Sequence, residues 1–103
     1  MTTNQNQGAS MNSQNQASAM SQKIFKLGLS VETVSVYLMC CSLADTDATI
    51  STKKLSEMWN STRASLLEAL KDLETRNILR RIISDRAGNT VYKLADVKSW
   101  KLL

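Results

Sequence analysis

The sequence predicts a small α+β domain in which two short helices, joined by a tight turn, are followed by a β-hairpin. Residues 51–76 hold two amphipathic runs separated by Asn60 and Ser61. After Asn77, two β-rich runs, ILRRIISD and TVYKLAD, flank a turn that carries Gly88 and Asn89. The chain has 103 residues, of which 43% are hydrophobic, and this suits one domain with a single core.

The first helix of the pair is expected to begin after Ser51. Ser51 is a favourable N-cap, because its hydroxyl can accept a hydrogen bond from a backbone N–H that the helix leaves unpaired. Leu55 and Met58 are three residues apart and predict one apolar stripe on a helix that ends near Trp59. Asn60 and the serine after it then predict the turn.

The second helix of the pair is predicted to run from about Thr62 to the residues before Asn77. Its buried stripe is expected to consist of Leu66, Ala69, Leu70 and Leu73, whose leucines follow the i, i+4, i+7 pattern. The opposite face carries polar side chains, namely Ser65, Glu68, Lys71, Asp72 and Thr75. Asn77 is suited to the left-handed conformation that ends many helices.

The N-terminal segment, residues 1–22, is predicted to be a disordered tail. It contains no charged side chain and only scattered Ala and Met, so it cannot bury enough apolar area to offset the entropy of ordering. A sticky low-complexity arm is the alternative. The domain is then expected to span residues 23–103, and its first segment, KIFKLG, forms either a short strand or a helical turn.

A helix is also predicted from Ser30, which can act as its N-cap. One stripe contains Val31, Val34, Leu38 and Cys41, and a second contains Val36, Cys40 and Leu43. Apolar residues thus surround most of the helix, which is therefore either the central buried helix or in contact with another subunit. Residues 45–47 predict a turn, and residues 48–50 predict a very short strand.

The two strands of the hairpin do not alternate cleanly between apolar and polar residues, so the pattern leaves open which of Arg80 and Arg81 faces solvent. After the hairpin, Asp96 can cap a final turn. Beyond it, Val97, Trp100 and Leu103 are expected to dock on the core or on a partner.

The charge is concentrated in the predicted helix pair and hairpin. Residues 51–93 hold nine basic and five acidic side chains, and they account for the whole formal net charge of +4. Such a field attracts polyanions. The chain lacks histidine, its two cysteines are adjacent, and it has neither a Gly-rich phosphate loop nor a long apolar run. We therefore expect no enzyme, metal site, cofactor or membrane span, and a cytoplasmic location.

The stretch ISTKKLSEMWNSTRASLLEALKDLETRNILRR resembles the motif of winged-helix transcription regulators and of the DNA-binding heads of phage and plasmid replication proteins. The resemblance covers roughly residues 29–94. Glu74 falls on the family's usual Glu, and Arg80 falls where the first wing strand usually carries a basic residue. Asn77 replaces the usual Gly, and Leu66 replaces the usual Val, while the apolar contact is kept. The resemblance implies a three-helix core with a C-terminal β-hairpin wing.

The resemblance also implies sequence-specific binding of double-stranded DNA, by a small transcription regulator or a replication accessory factor. The second helix of the motif, about 62–76, would enter the major groove, and the wing, 86–89, would contact the backbone or the minor groove. The implied DNA-binding residues are Lys53, Lys54, Thr62, Arg63, Ser65, Lys71, Arg86 and Asn89. Glu68 lies at the centre of the exposed face, and its carboxylate repels phosphate. It can help DNA binding only by accepting a hydrogen bond from a cytosine amino group or by orienting a neighbouring arginine.

Two further expectations concern partners. A winged helix can also serve as a protein-interaction module without DNA binding, and the acidic residues Glu68 and Asp72 favour that alternative. A homodimer is expected as well, because the helix after Ser30 and the edge formed by Val97, Trp100 and Leu103 carry more apolar surface than one small core needs.

Overall fold

The structure is a computed structural model that describes residues 19–101. These residues form three α-helices and a three-stranded antiparallel sheet. The helices are α1 (Val31–Asp45), α2 (Thr52–Met58) and α3 (Arg63–Thr75), and the strands are β1 (Ile50–Ser51), β2 (Leu79–Ser84) and β3 (Thr90–Leu94). Short 3₁₀ helices, Gln22–Lys26 and Val97–Ser99, precede and follow them. The KIFK part of KIFKLG is therefore helical rather than extended.

Helix α1 begins where the sequence predicts, because the Ser30 side chain accepts a hydrogen bond from the Thr33 backbone N–H at 3.1 Å. Its buried face is the second of the two predicted stripes, with Val36 and Cys40 fully buried. The first stripe is divided, since Cys41 is buried and Val34 packs against the core, whereas Val31 is 78% exposed and Leu38 is also exposed. The helix is thus central, but one flank of it remains apolar and in contact with solvent.

The core lies between α1, α3 and the sheet. The predicted stripe of α3 is confirmed, because Leu66, Ala69, Leu70 and Leu73 are all buried. Leu55 of α2 is fully buried as well, whereas Met58 is 43% exposed. The predicted apolar stripe of α2 is therefore wrong at Met58, since this seven-residue helix ends there and the chain turns away.

The sheet has the order β1-β3-β2, with β3 in the centre. Ile50 of β1 pairs with Tyr92, so the predicted short strand exists but is shifted toward Ser51. The β2–β3 register shifts between Arg81 and Ile83, which marks a bulge at Ile82. Beyond Leu79 every residue of β2 is exposed, so neither face of this part of the strand requires apolar side chains and the sequence does not alternate.

Asn77 adopts the left-handed conformation predicted for it, with a φ of 57°. Its side-chain amide donates a hydrogen bond to the Ser99 carbonyl at 2.9 Å. The backbone N–H of Lys101 also donates to the Arg76 carbonyl at 2.7 Å. The end of α3 is therefore tied to the C-terminal segment.

Tyr37 of α1 joins both ends of the described chain. Its hydroxyl accepts a hydrogen bond from the Ser21 N–H at 2.9 Å, and its ring meets Trp100 edge-to-face at 5.7 Å. Met20 packs against the core, and Ser21 caps the first 3₁₀ helix. Residues 19–22, which the sequence prediction places in the tail, thus contact the domain through backbone hydrogen bonding and one apolar side chain. The rest of that prediction, residues 1–18, lies outside the described residues.

The C-terminal prediction holds where the structure describes it. Asp96 caps the 3₁₀ helix by accepting from the Lys98 N–H at 2.8 Å, and Trp100 is buried in the core of its own chain. Leu103 lies outside the described residues. Within residues 19–101, no helix has the length and apolar character needed to cross a membrane.

Candidate nucleic-acid interface

The turn between α2 and α3 is held by the indole of Trp59. Its Nε1–H donates to the Thr62 carbonyl and to the Ser65 hydroxyl, each at 3.0 Å. The Ser65 hydroxyl in turn donates to the Thr62 carbonyl at 2.8 Å. Thr62 caps α3, because its hydroxyl accepts from the Ser65 N–H at 3.1 Å. These contacts fix the direction in which α3 leaves the turn.

The outward face of α3 is mixed in character. Arg63 and Lys71 are exposed near its start and its middle, and Glu68 is exposed between them. Leu67 is 43% exposed on the same helix. The face therefore offers two cations, one carboxylate and one apolar side chain to a partner.

A cleft of about 390 Å³ lies between α2, the start of α3 and the loop of the hairpin. We call it the α2–hairpin cleft. Its lining includes Lys53, Ser56 and Glu57 of α2, Arg63 of α3 and residues 87–89 of the loop. The Arg63 guanidinium donates to the Ser56 hydroxyl at 3.4 Å, which directs the arginine toward α2. Two cations and one carboxylate thus share this cleft.

A second groove, of about 500 Å³, separates α3 from the hairpin. We call it the α3–hairpin groove. Lys71 and Glu74 line its helical side, and Arg81 lines its strand side. Arg81 forms an ion pair with Glu74 at 3.1 Å, and this hydrogen bond raises the pKa of the guanidinium. Arg81 is exposed, so the pair holds the direction of the side chain more than it stabilises the fold.

The hairpin is fixed to the start of α2 by side chains that continue the β1–β3 ladder. The buried Thr52 hydroxyl donates to the Thr90 carbonyl at 3.4 Å and accepts from the Thr90 N–H at 3.2 Å. The Asn89 side-chain carbonyl accepts from the Lys53 N–H at 2.9 Å. Within the loop, the Asp85 carboxylate accepts from the N–H groups of Ala87 and Asn89. We call the Thr52–Thr90 and Lys53–Asn89 contacts the hairpin latch.

The structure brings some of the sequence-predicted site residues together and separates others. Lys53, Arg63 and Asn89 share the α2–hairpin cleft, while Lys71 lies in the α3–hairpin groove. Lys54 and Arg86 are exposed but line neither.

Four of the predicted contact residues use their side chains in hydrogen bonds within the protein, and one of these is the bond from Arg63 to Ser56 described above. The hydroxyls of Thr62 and Ser65 form the cap of α3, and the Asn89 carbonyl accepts from Lys53. The half-buried Ser65 hydroxyl both donates and accepts there, which leaves it little capacity to contact a base. Its position favours a structural role.

Sequence reasoning did not single out Thr52, Trp59 or Arg81 as parts of this surface. A signal existed for Trp59, because an indole N–H in a turn next to a cap requires an acceptor. A threonine directly after a capping serine gives no comparable signal, since its partner Thr90 is 38 residues away.

The described residues contain no group of three or more His, Cys, Asp or Glu side chains that could hold a metal ion. Comparisons of the chain with protein-family models, curated proteins and solved structures find no match.

Proposed function

We propose that this chain is a winged-helix domain that binds duplex DNA, as a small transcription regulator or a replication accessory factor. Helix α3 would lie in the major groove, and the loop of the hairpin would contact the backbone or the minor groove. The observation that carries the proposal is the α2–hairpin cleft, where Lys53 and Arg63 meet the loop of the hairpin beside the exposed start of α3.

The order of elements supports the proposal. Helix, short strand, helix, turn, helix and hairpin follow one another, and the short strand pairs with the second hairpin strand. This is the arrangement that the winged-helix resemblance implies. It leaves one face of α3 in solvent beside the hairpin.

The distribution of charge supports it as well. Lys53 and Lys54 are exposed at the start of α2, Arg63 is exposed at the start of α3, and Arg86 is exposed in the loop. Exposed cations on three neighbouring elements suit a phosphate backbone, which carries its charge along an extended path. Under this proposal Lys53, Lys54 and Arg86 contribute affinity, and Arg63 is placed to read a base edge.

The test is a salt titration of binding to a preferred duplex, selected from random sequences, and to random duplex. Lys53→Ala should weaken binding to both duplexes alike and flatten the plot of log affinity against log salt by about one unit. Arg63→Ala should instead reduce the difference in binding free energy between the preferred and the random duplex. The reduction should be about 1–3 kcal/mol if the Arg63 side chain pairs with a guanine. Lys98→Ala, an exposed lysine that lines neither cleft nor groove, is the matched control and should leave both quantities unchanged. Absence of salt-dependent binding to any duplex at low salt would refute the proposal.

A protein-interaction module is the second candidate, and the exposed Leu67 and Glu68 favour it. A half-exposed leucine beside a carboxylate in the middle of α3 suits a protein interface, which combines apolar and polar side chains, better than it suits a phosphate surface. Leu67→Lys discriminates between the two. The added cation should strengthen binding to random duplex if α3 enters a groove, and should leave it unchanged if α3 serves another partner.

A further inference from the structure

Strand β2 is an edge strand with an unusual composition. It pairs with β3 on one side only, and no other described strand lies along its outer edge. Ile82 and Ile83, at its centre, are 57% and 64% exposed. Exposed edges of high β-propensity readily pair with another strand. The apolar centre of this edge therefore needs an explanation.

The bulge at Ile82 divides the side chains of β2 between the two faces of the sheet in a particular way. Arg80 opposes Lys93 and Ile83 opposes Val91, so Arg80 and Ile83 lie on one face. On the other face, Arg81 opposes Tyr92 and Ser84 opposes Thr90. Asp85 directly follows the end of β2 and, by alternation, lies on the face of Arg80. Its Oδ1 accepts from the N–H groups of Ala87 and Asn89 in the loop, so Oδ2 is the oxygen that would face a cation.

We propose that two copies of this chain dimerise by antiparallel pairing of their β2 edges about a two-fold axis between Ile82 and Ile83. In this register Arg80 lies opposite Asp85 of the second copy, and Arg81 lies opposite Ser84. The isoleucines meet at the centre. Directly opposed residues of an antiparallel pair must share a face, and the bulge satisfies this condition for both flanking pairs.

Charge complementarity favours a second copy of this chain as the partner of β2, and it favours the antiparallel orientation of the two strands. Arginine on an edge strand normally discourages pairing, because like charges then face one another. In the antiparallel register, each Arg80 instead lies opposite the Asp85 carboxylate of the other copy. The two-fold symmetry gives two such Arg80–Asp85 pairs in the dimer. A parallel pairing in register would set Arg80 and Arg81 against the same two arginines.

This pairing uses a different surface from the one expected from the sequence, which combined the helix after Ser30 with the C-terminal edge. Trp100 was assigned to that edge, but it is buried against Tyr37 within one chain. Pairing of the β2 edges does not depend on DNA binding, so dimerisation is measured without DNA.

The experiment is sedimentation velocity of the full chain at micromolar concentration. We expect a species of twice the 11.4 kDa chain mass. Arg80→Glu, which sets like charges opposite Asp85 at both ends, should weaken the dimer by about tenfold or more. Lys54→Glu makes the same charge change on α2, away from β2, and should leave the dimer unchanged. A clean monomer, or a dimer indifferent to Arg80→Glu, would overturn the proposal.

The register is tested by cross-linking. An equal mixture of Arg81→Cys and Ser84→Cys chains should form disulfide-linked dimers under mild oxidation, since opposed residues lie within bridging distance. A mixture of Arg81→Cys and Lys93→Cys chains is the control, because Lys93 lies on the central strand. Cross-linking that is no greater in the first mixture than in the control would also overturn the proposal. Unchanged circular dichroism confirms that the variants, all at exposed positions, remain folded.

Discussion

At the scale of single residues, the hairpin latch decides how the loop is placed beside α2. Asn89 was predicted to contact DNA, but its side-chain carbonyl accepts a hydrogen bond from the Lys53 backbone N–H. Loss of this acceptor leaves that N–H without its partner and frees the loop. If the loop contacts DNA, Asn89 acts by positioning it rather than by touching a base.

Asn89→Ala should therefore cost about 0.5–1.5 kcal/mol of stability and raise the exchange rate of the Lys53 amide. Asn89→Asp keeps an acceptor oxygen and should preserve the protection of this amide. Asn60→Ala, in the exposed α2–α3 turn, is the matched control. Hydrogen exchange followed by NMR measures all three, and equal protection of Lys53 in the Ala and Asp variants would show that the bond is unimportant.

Two buried ionisable side chains, Cys40 and Tyr37, predict that the stability of the fold depends on pH. Burial, and then the neighbouring Cys41 thiol, raises the pKa of Cys40 from 9.0 to about 12, and burial likewise raises the pKa of Tyr37 from 10.0 to about 12. Well below pH 9 both groups are protonated in the folded and in the unfolded state. As the pH rises, the unfolded state loses the Cys40 proton near pH 9.0 and the Tyr37 proton near pH 10.0, before the folded state does. Stability should therefore fall between these values and pH 12, by up to about 1.4 kcal/mol per pH unit for each group.

Urea unfolding from pH 7 to 11 measures this loss. Cys40→Ala lacks the Cys40 thiol and should lose less stability over the same range. Equal slopes for the two proteins would assign the loss to other groups. The native thiols should also react slowly with alkylating reagents at pH 8, because the thiolate is the reactive form.

At the scale of elements, α3 has two faces of very different energetic weight. Leu70 is 1% exposed in the core, and Leu67, three residues earlier, is 43% exposed. Leu70→Ala should cost about 2–5 kcal/mol because it removes buried methyl groups and leaves a cavity. Leu67→Ala makes the same change on the outer face and should cost well under that, about 0.5 kcal/mol or less. Chemical denaturation compares the two, and similar losses would mean that α3 is rotated.

The contrast between α3 and α1 shows how far the sequence could predict the elements. Leucines on one side of α3 fix its buried face, and the caps at Ser30, Ser51 and Asp96 depend on groups two or three residues away. Such local features can be read from the chain. In α1, apolar residues occur on every side of the helix, so the pattern does not show which side is buried. The elements that pack against α1 decide this, and they bury Val36 while Val31 remains exposed. The bulge and the latch similarly depend on partners far along the chain.

At the scale of the whole molecule, Tyr37 of α1 attaches both ends of the described segment, through Ser21 and Trp100. Deletion of residues 1–18 keeps every residue that the structure describes. Deletion of residues 1–22 also removes the Ser21 hydrogen bond to Tyr37 and the packing of Met20. The longer deletion should lower stability by about 1–3 kcal/mol relative to the shorter one. Melting temperatures of the two truncated proteins test this, and equal values would show that residues 19–22 add no stability.

The chain's two tryptophans occupy contrasting places, and this gives the protein two optical probes. Trp59 is half-buried at the turn before α3, whereas Trp100 is in the core. A soluble quencher such as iodide should therefore reach the fluorescence of Trp59 but not that of Trp100. A partner that covers the start of α3 should shield Trp59 from the quencher, and replacement of Trp100 by Phe would isolate that signal. Occupancy of the candidate interface can thus be followed without attaching any label.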